Sequence, residues 1–267
     1  MNKNYTKESL KAQIRALGIQ SNDVVMVHTS LRAVGPITGD VSGAEIYIQA
    51  LRECLSEGLL LIPTHTWANV RNDGDICDLN ATLPCIGTVP TVAVRLAARG
   101  EGTRSEHPTH SVVAFGKDAQ AYVANDALAR TPCPWNGSFG KLYESGGKIL
   151  LVGVDHGRNT FFHAVDEWLD IPDRLLPTQS LLSLRDRNGL LKQRPVFRHA
   201  RSMSDFFMNY EPYLDQLEAV GYGRIGDALT RICDARACAD AIRRLWKNAD
   251  HDLCAKKEVL DLEKLLG

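Results

Sequence analysis

The sequence predicts an α/β protein in which a largely parallel sheet carries helices on its faces. Short apolar runs of strand length alternate with segments of helical spacing, which is the order expected of such folds. The first run covers residues 23–30 and is followed by a glycine-rich loop and a helix. The second run covers residues 59–67. Strands that are apolar throughout are typical of sheets buried on both faces.

A helix predicted over residues 6–17 precedes the first strand. Leu10, Ile14 and Leu17 share one face of it, Thr6 is a suitable N-cap, and Gly18 ends it. Further helices are predicted over residues 44–56, 86–99, 204–220 and 236–247, and further strands over residues 110–115 and 148–154.

The chain changes character after Pro177. Residues 180–200 read as a β-hairpin, because the pair Asn188-Gly189 is a strong signal for a tight turn. No internal repeat, low-complexity tract or linker is visible. The sequence therefore favours one domain over residues 1–267 with a decorated C-terminal third.

Composition excludes several classes of function. The chain has 267 residues, of which 44% are hydrophobic and 24% charged, and this is ordinary for a globular protein. Its net charge of -1 argues against a nucleic-acid binder dominated by phosphate contacts. No apolar run of about eighteen residues exists, so no membrane span is expected. The polar N-terminus lacks the core of a signal peptide, which predicts a cytoplasmic location.

Seven cysteines are present, and free thiols are expected because no secretion signal accompanies them. Two pairs, Cys77 with Cys85 and Cys233 with Cys238, lie close enough along the chain to suggest metal ligands. Their spacings differ from the two-residue gaps of zinc ribbons. No metal is therefore expected.

The segment of residues 159–174, NTFFHAVDEWLDIPDR, is the strongest candidate for a reactive centre. His163 precedes Asp166 by three residues, so the two share a helix face. A histidine oriented by a carboxylate is suited to removing a proton at neutral pH. The alternative is an exposed polar pair on a helix surface. The preceding strand and the glycines Gly153 and Gly157 favour function, because ligand sites of α/β sheets lie at strand ends.

Three other segments offer candidate contacts. In RSEHPTHS, either His107 or His110 is a candidate second catalytic group, and the alternative for each is a loop residue satisfied by backbone hydrogen bonds. The loop after the first strand brings Arg32 and several glycines, which suit a phosphate or a pantetheine chain or simply form a structural loop. The turn-rich residues 131–148 are expected to wall a pocket, and Cys133 within them is a weak candidate nucleophile.

Taken in order, the motifs HTSLRAVG, LIPTHTW, GTVP, RSEHPTHS, TPCPWNGSFGKL, LLVGV followed by NTFFHAVDEW, and GRIGDAL resemble the aminoglycoside 3-N-acetyltransferase family. The resemblance runs from about residue 5 to residue 235. The order and spacing of the motifs are more specific than any one of them.

The resemblance implies an enzyme that transfers an acetyl group from acetyl-coenzyme A to an amine. It implies a three-layer α/β/α fold with a largely parallel or mixed central sheet, distinct from the common small acetyltransferase fold. The histidine of the family pattern Thr-x-x-His-x-x-Glu falls on His163, which makes it the general base. The acid of that pattern is Asp166 here, with Glu167 beside it, and His110 is a further catalytic candidate.

Binding residues are expected on the same motifs. The candidate contacts for coenzyme A are His28, Ser30, Leu31, Arg32, Val34, Gly35, Thr64, Arg104 and Ser105. The candidate contacts for the amine substrate are Trp67 and Asp170.

Direct transfer needs a base for the amine and donors for the thioester oxygen, and backbone N–H groups of residues 30–32 could supply the donors. Two other functions stay open: a non-catalytic protein that binds coenzyme A, and a hydrolase with a cysteine or serine nucleophile. The hydrolase is disfavoured because no Gly-x-Ser-x-Gly motif is present. The chain also lacks the dense acidic run expected for polycationic aminoglycosides, so another amine remains an open substrate. A monomer and a homodimer are both compatible with the sequence.

Overall fold

A seven-stranded sheet forms the centre of the computed structural model, which describes residues 4–200 and 203–267. Its strands are β1 (Val24–Thr29), β2 (Leu59–Pro63), β4 (Thr103–Arg104), β5 (Val112–Phe115), β6 (Lys148–Val152), β9 (Val220–Ile225) and β10 (Ala228–Asp234). They are ordered β4-β5-β2-β1-β6-β10-β9. A second sheet joins β3 (Ile76–Asp78), β7 (Ser180–Arg185) and β8 (Leu191–Val196) in that order.

The central sheet is mixed, not largely parallel. Three adjacent strands, β2, β1 and β6, run parallel to one another. On either side of them, β5 pairs antiparallel with β2 and β10 pairs antiparallel with β6. The antiparallel pair of β9 and β10 is a tight hairpin at Gly226, which has a φ of 62°. A hairpin added beside β6 reverses the strand direction, and this is why the parallel run stops there.

Helices cover both faces of this sheet. They are α1 (Lys7–Ala16), α2 (Leu31–Val34), α3 (Gly43–Cys54), α4 (Thr88–Ala98), α5 (Ala119–Val123), α6 (Ser138–Glu144), α7 (Thr160–Trp168), α8 (Glu211–Gln216), α9 (Ala235–Lys247) and α10 (Leu262–Leu266). Short 3-10 helices cover Ala124–Leu128, His156–Arg158 and Ser204–Tyr210.

Alternation along the strands divides the core into two layers. Val25 and Val27 of β1 pack with α1, α3 and α4, whereas Met26 between them packs with α6, α7 and α9. Successive strand residues point to opposite faces, so each apolar strand feeds both layers. The predicted three-layer α/β/α fold is thereby confirmed, in its mixed-sheet form.

Local signals in the sequence account for most element boundaries. Thr6 caps α1 and forms a capping box with Ser9, and Gly18 follows the helix with a φ of 81°. The predicted hairpin forms as β7 and β8 around Gly189. The single helix predicted over residues 204–220 is wrong. A 3-10 helix gives way to α8, which has Pro212 in its first turn, and Val220 already begins β9.

In the two ranges that the structure describes, no helix combines the length and apolar character needed to cross a membrane.

Candidate functional site

Six histidines gather at one edge of the central sheet and are called here the histidine cluster. Its members are His28, His65, His107, His110, His163 and His199. Parallel strands β1 and β2 end at this edge, and antiparallel β5 begins there, so residues from three strand ends meet. This is the edge at which α/β sheets bind ligands.

The rings of the cluster are in a continuous series of contacts. The ring centroids of His65 and His110 lie 4.6 Å apart, and those of His110 and His199 lie 5.0 Å apart. The ring of His163 stacks on that of His199 at 4.4 Å, with 23° between the ring planes. His163 is therefore joined to the sheet edge through His199.

His163 lies in the first turns of α7, where β6 delivers the chain through Gly153 and a short 3-10 helix. Its half-buried ring also meets the edge of Phe207 at 4.8 Å. Burial, together with the neighbouring His199 and His65, lowers the pKa of His163 well below its usual range. The imidazole is therefore neutral at pH 7 and able to accept a proton.

Four other histidines of the cluster are neutral for the same reason. Burial lowers the pKa of His28 to about 4 and that of His107 to about 3. The pKa values of His65 and His110 are lowered well below the usual range by burial and by the neighbouring histidines. These four histidines thus add almost no positive charge to the site.

Asp166 does not orient His163, although the two lie three residues apart on α7. Its fully buried carboxylate accepts a hydrogen bond from Arg174 Nε at 2.7 Å. Arg174 in turn donates to both oxygens of Asp252 at 2.9 Å. Burial raises the pKa of Asp166 to about 6 against the opposing effect of Arg174. Asp166 therefore belongs to a buried ion bridge that fixes the C-terminal end of α7.

Glu167 reaches the site through a different partner. Its carboxylate accepts hydrogen bonds from the backbone N–H of Cys133 at 3.0 and 3.2 Å and lies 3.2 Å from His199 Nε2. No hydrogen bond joins His163 to Asp166 or Glu167 within the described ranges. Glu167 contacts the ring of His199, which stacks on His163 and which the sequence pattern did not indicate as a site residue.

The two histidines of the RSEHPTHS segment have different roles. His107 Nδ1 accepts from the backbone N–H groups of Thr109 and His110, and its Nε2 lies 3.0 Å from the carbonyl oxygen of Thr131. Both ring nitrogens are thus engaged, and His107 is a structural loop residue. His110 points into the cluster, and its Nδ1 lies 3.0 Å from Thr109 Oγ1.

In the turn between β1 and α2, two of the three backbone N–H groups expected as donors are free of hydrogen bonds to described residues. Ser30 N–H donates to the Val152 carbonyl at 2.9 Å and is therefore unavailable. The N–H groups of Leu31 and Arg32, at the start of α2, make no hydrogen bond to any described residue. Gly153 lies behind this turn with a φ of 65°, and a Cβ there would lie 2.3 Å from the Ala33 Cβ. The turn thus packs directly on the end of β6.

Several other expected contacts for coenzyme A are turned into the fold. Arg104 is only 2% exposed, and it donates to the carbonyls of Leu79 at 3.1 Å and Thr82 at 2.8 Å. Val34 lies fully buried in the core, and Gly35 takes a φ of 93°. Arg104 and Val34 brace the loops around the site, and neither side chain offers a free polar group.

Thr64 and Ser105 are occupied in the same way. The hydroxyl of Thr64 lies 2.9 Å from that of Ser111, and Ser105 Oγ accepts from Val112 N–H at 2.9 Å. Both hydroxyls are buried. His28 differs, because its buried Nε2 has no hydrogen-bond partner among the described residues.

The two expected substrate contacts lie in different places. Trp67 follows β2 and is 45% exposed. Asp170 is exposed, has a φ of 51°, and lines an open cavity of about 810 Å³ that the C-terminal end of α9 completes. Of the expected catalytic residues, the structure brings His163 and His110 into one cluster and attaches Glu167 to it through His199.

Comparisons with known proteins agree with this fold. The model of the family described as aminoglycoside 3-N-acetyltransferase matches residues 26–247. The SPbeta prophage-derived aminoglycoside N(3')-acetyltransferase-like protein YokD of Bacillus subtilis is 24% identical over 92% of this chain and 93% of its own. Aminoglycoside N(3)-acetyltransferase III of Salmonella sp is 28% identical over 69% of this chain and 68% of its own. The solved structure of AAC-IIIb with CoASH shares the fold, with a TM-score of 0.76 and 23% identity over 90% of this chain and 95% of that chain.

Proposed function

Because the chain belongs to the aminoglycoside 3-N-acetyltransferase family, we propose that it moves the acetyl group of acetyl-coenzyme A directly to an amine, with His163 as the general base. Acetyl transfer and the use of acetyl-coenzyme A are properties of this family. The observation that carries the assignment of the base is the neutral, half-buried imidazole of His163 at the ligand-binding edge of the sheet.

An amine is mostly an ammonium ion at pH 7 and cannot attack a thioester until it loses a proton. The ammonium ion first releases one proton to solvent, and His163 then accepts a second proton from the nitrogen as the new N–C bond forms and the C–S bond of the thioester breaks. The resulting imidazolium then returns a proton to the departing thiolate of coenzyme A, which balances the reaction. A positioned base of this kind contributes about 10²–10⁴-fold to the rate.

The second requirement is stabilisation of the thioester oxygen while it carries negative charge. The N–H groups of Leu31 and Arg32 support this role, because they make no hydrogen bond to described residues and lie at the end of β1. Donors fixed in place before the reaction stabilise such an oxyanion without reorganisation.

His199 supports the base in place of a directly bonded carboxylate. It stacks on His163 at 4.4 Å between ring centroids and lies 3.2 Å from Glu167. A positive charge formed on His163 is therefore separated from the Glu167 carboxylate by one imidazole ring. The Glu167 carboxylate favours proton uptake during the reaction, whereas burial and the neighbouring histidines keep His163 neutral before it.

The family name points to the 3-amino group of an aminoglycoside. The carboxylates of Asp166 and Glu167 are already engaged by protein groups, so they contribute little attraction for a polycation. Aminoglycosides and simple amines therefore both belong in the test.

The test is release of free thiol from acetyl-coenzyme A in the presence of each amine. We expect turnover with at least one amine and a loss of about 10²–10⁴-fold in kcat for His163→Ala. Binding of coenzyme A, measured by calorimetry, should persist in the variant. His251→Gln is the control, because His251 is half exposed and lies outside the histidine cluster.

Two results would contradict the proposal. Full turnover in His163→Ala would remove His163 as the base. Tight binding of coenzyme A without turnover on any amine would make the chain a binding protein with the same fold.

A further inference from the structure

We propose that Cys133, Glu167 and His199 form a binding site for one divalent transition-metal ion of the zinc type. A thiol sulfur, a carboxylate oxygen and a ring nitrogen from these residues all lie within 4.8 Å of one another. Thiolate, imidazole and carboxylate are the three ligand types that zinc uses in proteins. The inference does not depend on acetyl transfer.

The three ligands come from separate segments that are fixed to each other. Both backbone polar groups of Cys133 bind side chains of α7. Its N–H donates to the Glu167 carboxylate, and its carbonyl accepts from Trp168 Nε1 at 3.0 Å. The segment that carries His199 is tied to the same loop, because Phe197 N–H donates to the Arg130 carbonyl at 2.7 Å. The site is therefore built by the backbone before any ion arrives.

Charge also favours a cation at this point. The Glu167 side chain is only 5% exposed, and across residues 4–200 and 203–267 no lysine or arginine pairs with it. Cys133 is fully buried beside it. On binding, the thiol proton leaves to solvent and the sulfur bonds to the metal as thiolate. A divalent ion with one thiolate, one carboxylate and one neutral imidazole gives a complex without net charge.

The same residues do not form a nucleophilic triad. In a Cys-His-Glu relay, the carboxylate and the thiol lie on opposite nitrogens of the ring. Here one ring nitrogen lies within 4.8 Å of both the sulfur and the carboxylate oxygen, so the three donors converge on a point. The sulfur of Cys133 is also fully buried, and this closes it to a thioester. Convergence is the geometry of metal coordination.

The ligand set selects the class of ion. A sulfur ligand disfavours magnesium and calcium, which prefer oxygen donors. Three protein ligands leave a fourth position for water, as in open zinc sites. Because His163 stacks on His199, such an ion would lie one ring away from the residue assigned as the base.

The experiment uses the full-length protein, stripped with a chelator and titrated with Co²⁺ and then Zn²⁺. We expect one ion per chain, visible absorption of tetrahedral cobalt, and a near-ultraviolet band from sulfur-to-cobalt charge transfer. Cys133→Ser should abolish the charge-transfer band, and Glu167→Gln and His199→Gln should weaken cobalt binding at least tenfold. Cys85→Ser is the matched control, because this half-buried thiol lies outside the triad and should leave the spectrum unchanged.

Stability provides a readout that does not depend on activity. Zinc that binds only the folded chain should raise the melting temperature of the wild type and of Cys85→Ser, but not of Cys133→Ser. If Cys133→Ser fails to fold, the melting temperatures of Glu167→Gln and His199→Gln provide the test, and zinc should not raise them. Absence of a stoichiometric ion in the wild type, or an unchanged cobalt spectrum in Cys133→Ser, would overturn the proposal.

Discussion

Replacing Arg174 with methionine tests the ion bridge that fixes the C-terminal end of α7. Arg174 is 3% exposed and donates from Nε to Asp166, whose carboxylate is fully buried. Its two terminal nitrogens bind Asp252 at 2.9 Å. Methionine keeps much of the apolar packing but removes the charge. At neutral pH the Asp166 carboxyl group must then either keep an uncompensated charge in the core or take up a proton, because burial already raises its pKa to about 6.

The expected cost follows from that uncompensated charge. Breaking a buried ion pair by removing one partner costs about 3–5 kcal/mol, most of it from the charge left behind. In a chain of this size each kcal/mol shifts the melting temperature by about 2–4 °C, so Arg174→Met should lower it by roughly 6–20 °C. Asp252→Asn is the matched control, because its side chain is 24% exposed and its loss leaves the buried pair intact. It should cost only about 1 kcal/mol.

Urea denaturation at neutral pH measures both variants. Adding Asp166→Leu to Arg174→Met should recover much of the loss, because a buried pair replaced by apolar residues is often neutral. The reasoning is refuted if Arg174→Met is as stable as Asp252→Asn, or if the double variant is less stable than Arg174→Met alone.

Two further predictions concern the fold around the site and its dependence on pH. Gly153→Ala should lose about 2–4 kcal/mol by urea denaturation, because its Cβ would lie 2.3 Å from that of Ala33 and its φ is positive. Gly18→Ala is also at positive φ but would meet no atom within 4 Å, so it should lose only the smaller free energy of placing a Cβ at positive φ. Equal losses of stability in the two variants would contradict the packing argument. The hydrogen bond that His251 Nδ1 donates to Asp250 raises the pKa of His251 above its usual value. The contact therefore stabilises the fold below the unfolded pKa of about 6.5, and this stabilisation is lost as pH rises through the folded pKa. Melting temperatures of His251→Gln and wild type should differ more in acid than in alkali, and a difference that grew in alkali would reverse the sign.

The sequence was informative where a structural rule acts over a few residues. Helical spacing and the capping box predicted α1, and the Asn188-Gly189 pair predicted the β7–β8 hairpin. The sequence did not predict the hairpin of β9 and β10, because Gly221 and Gly223 interrupt the apolar pattern of β9. Without that hairpin, the strand order read as more parallel than it is.

The site depended more on contacts that sequence spacing does not record. His163 and Asp166 share a helix, yet the Asp166 carboxylate pairs with Arg174, eight residues further along the chain. Arg174 also links it to Asp252. His199 stands alone in its segment, so nothing local marked it. Each of these contacts forms between elements that only the tertiary fold brings together.

The family resemblance placed the proposed base at His163, and it also predicted binding residues whose side chains the structure turns into the fold. Arg104 was expected to contact coenzyme A, and instead its guanidinium holds loop carbonyls in the interior. A motif records which residues recur together, and a buried bracing role leaves the same record as a ligand contact. The expectation of no metal was based on the spacing of cysteine pairs, whereas the proposed site combines a single thiol with a carboxylate and an imidazole from distant segments.

The ion pair between Arg174 and Asp252 also determines where the chain can be truncated. The match to the family ends at residue 247, at the end of α9. Asp252 lies beyond that limit, and the Asn209 side chain holds the carbonyls of Leu253 and Lys256 beside it. A version trimmed to the shared family boundary would leave the helix that bears His163 without its contact to Asp252 through Arg174, so the last twenty residues support α7 and are not a dispensable tail.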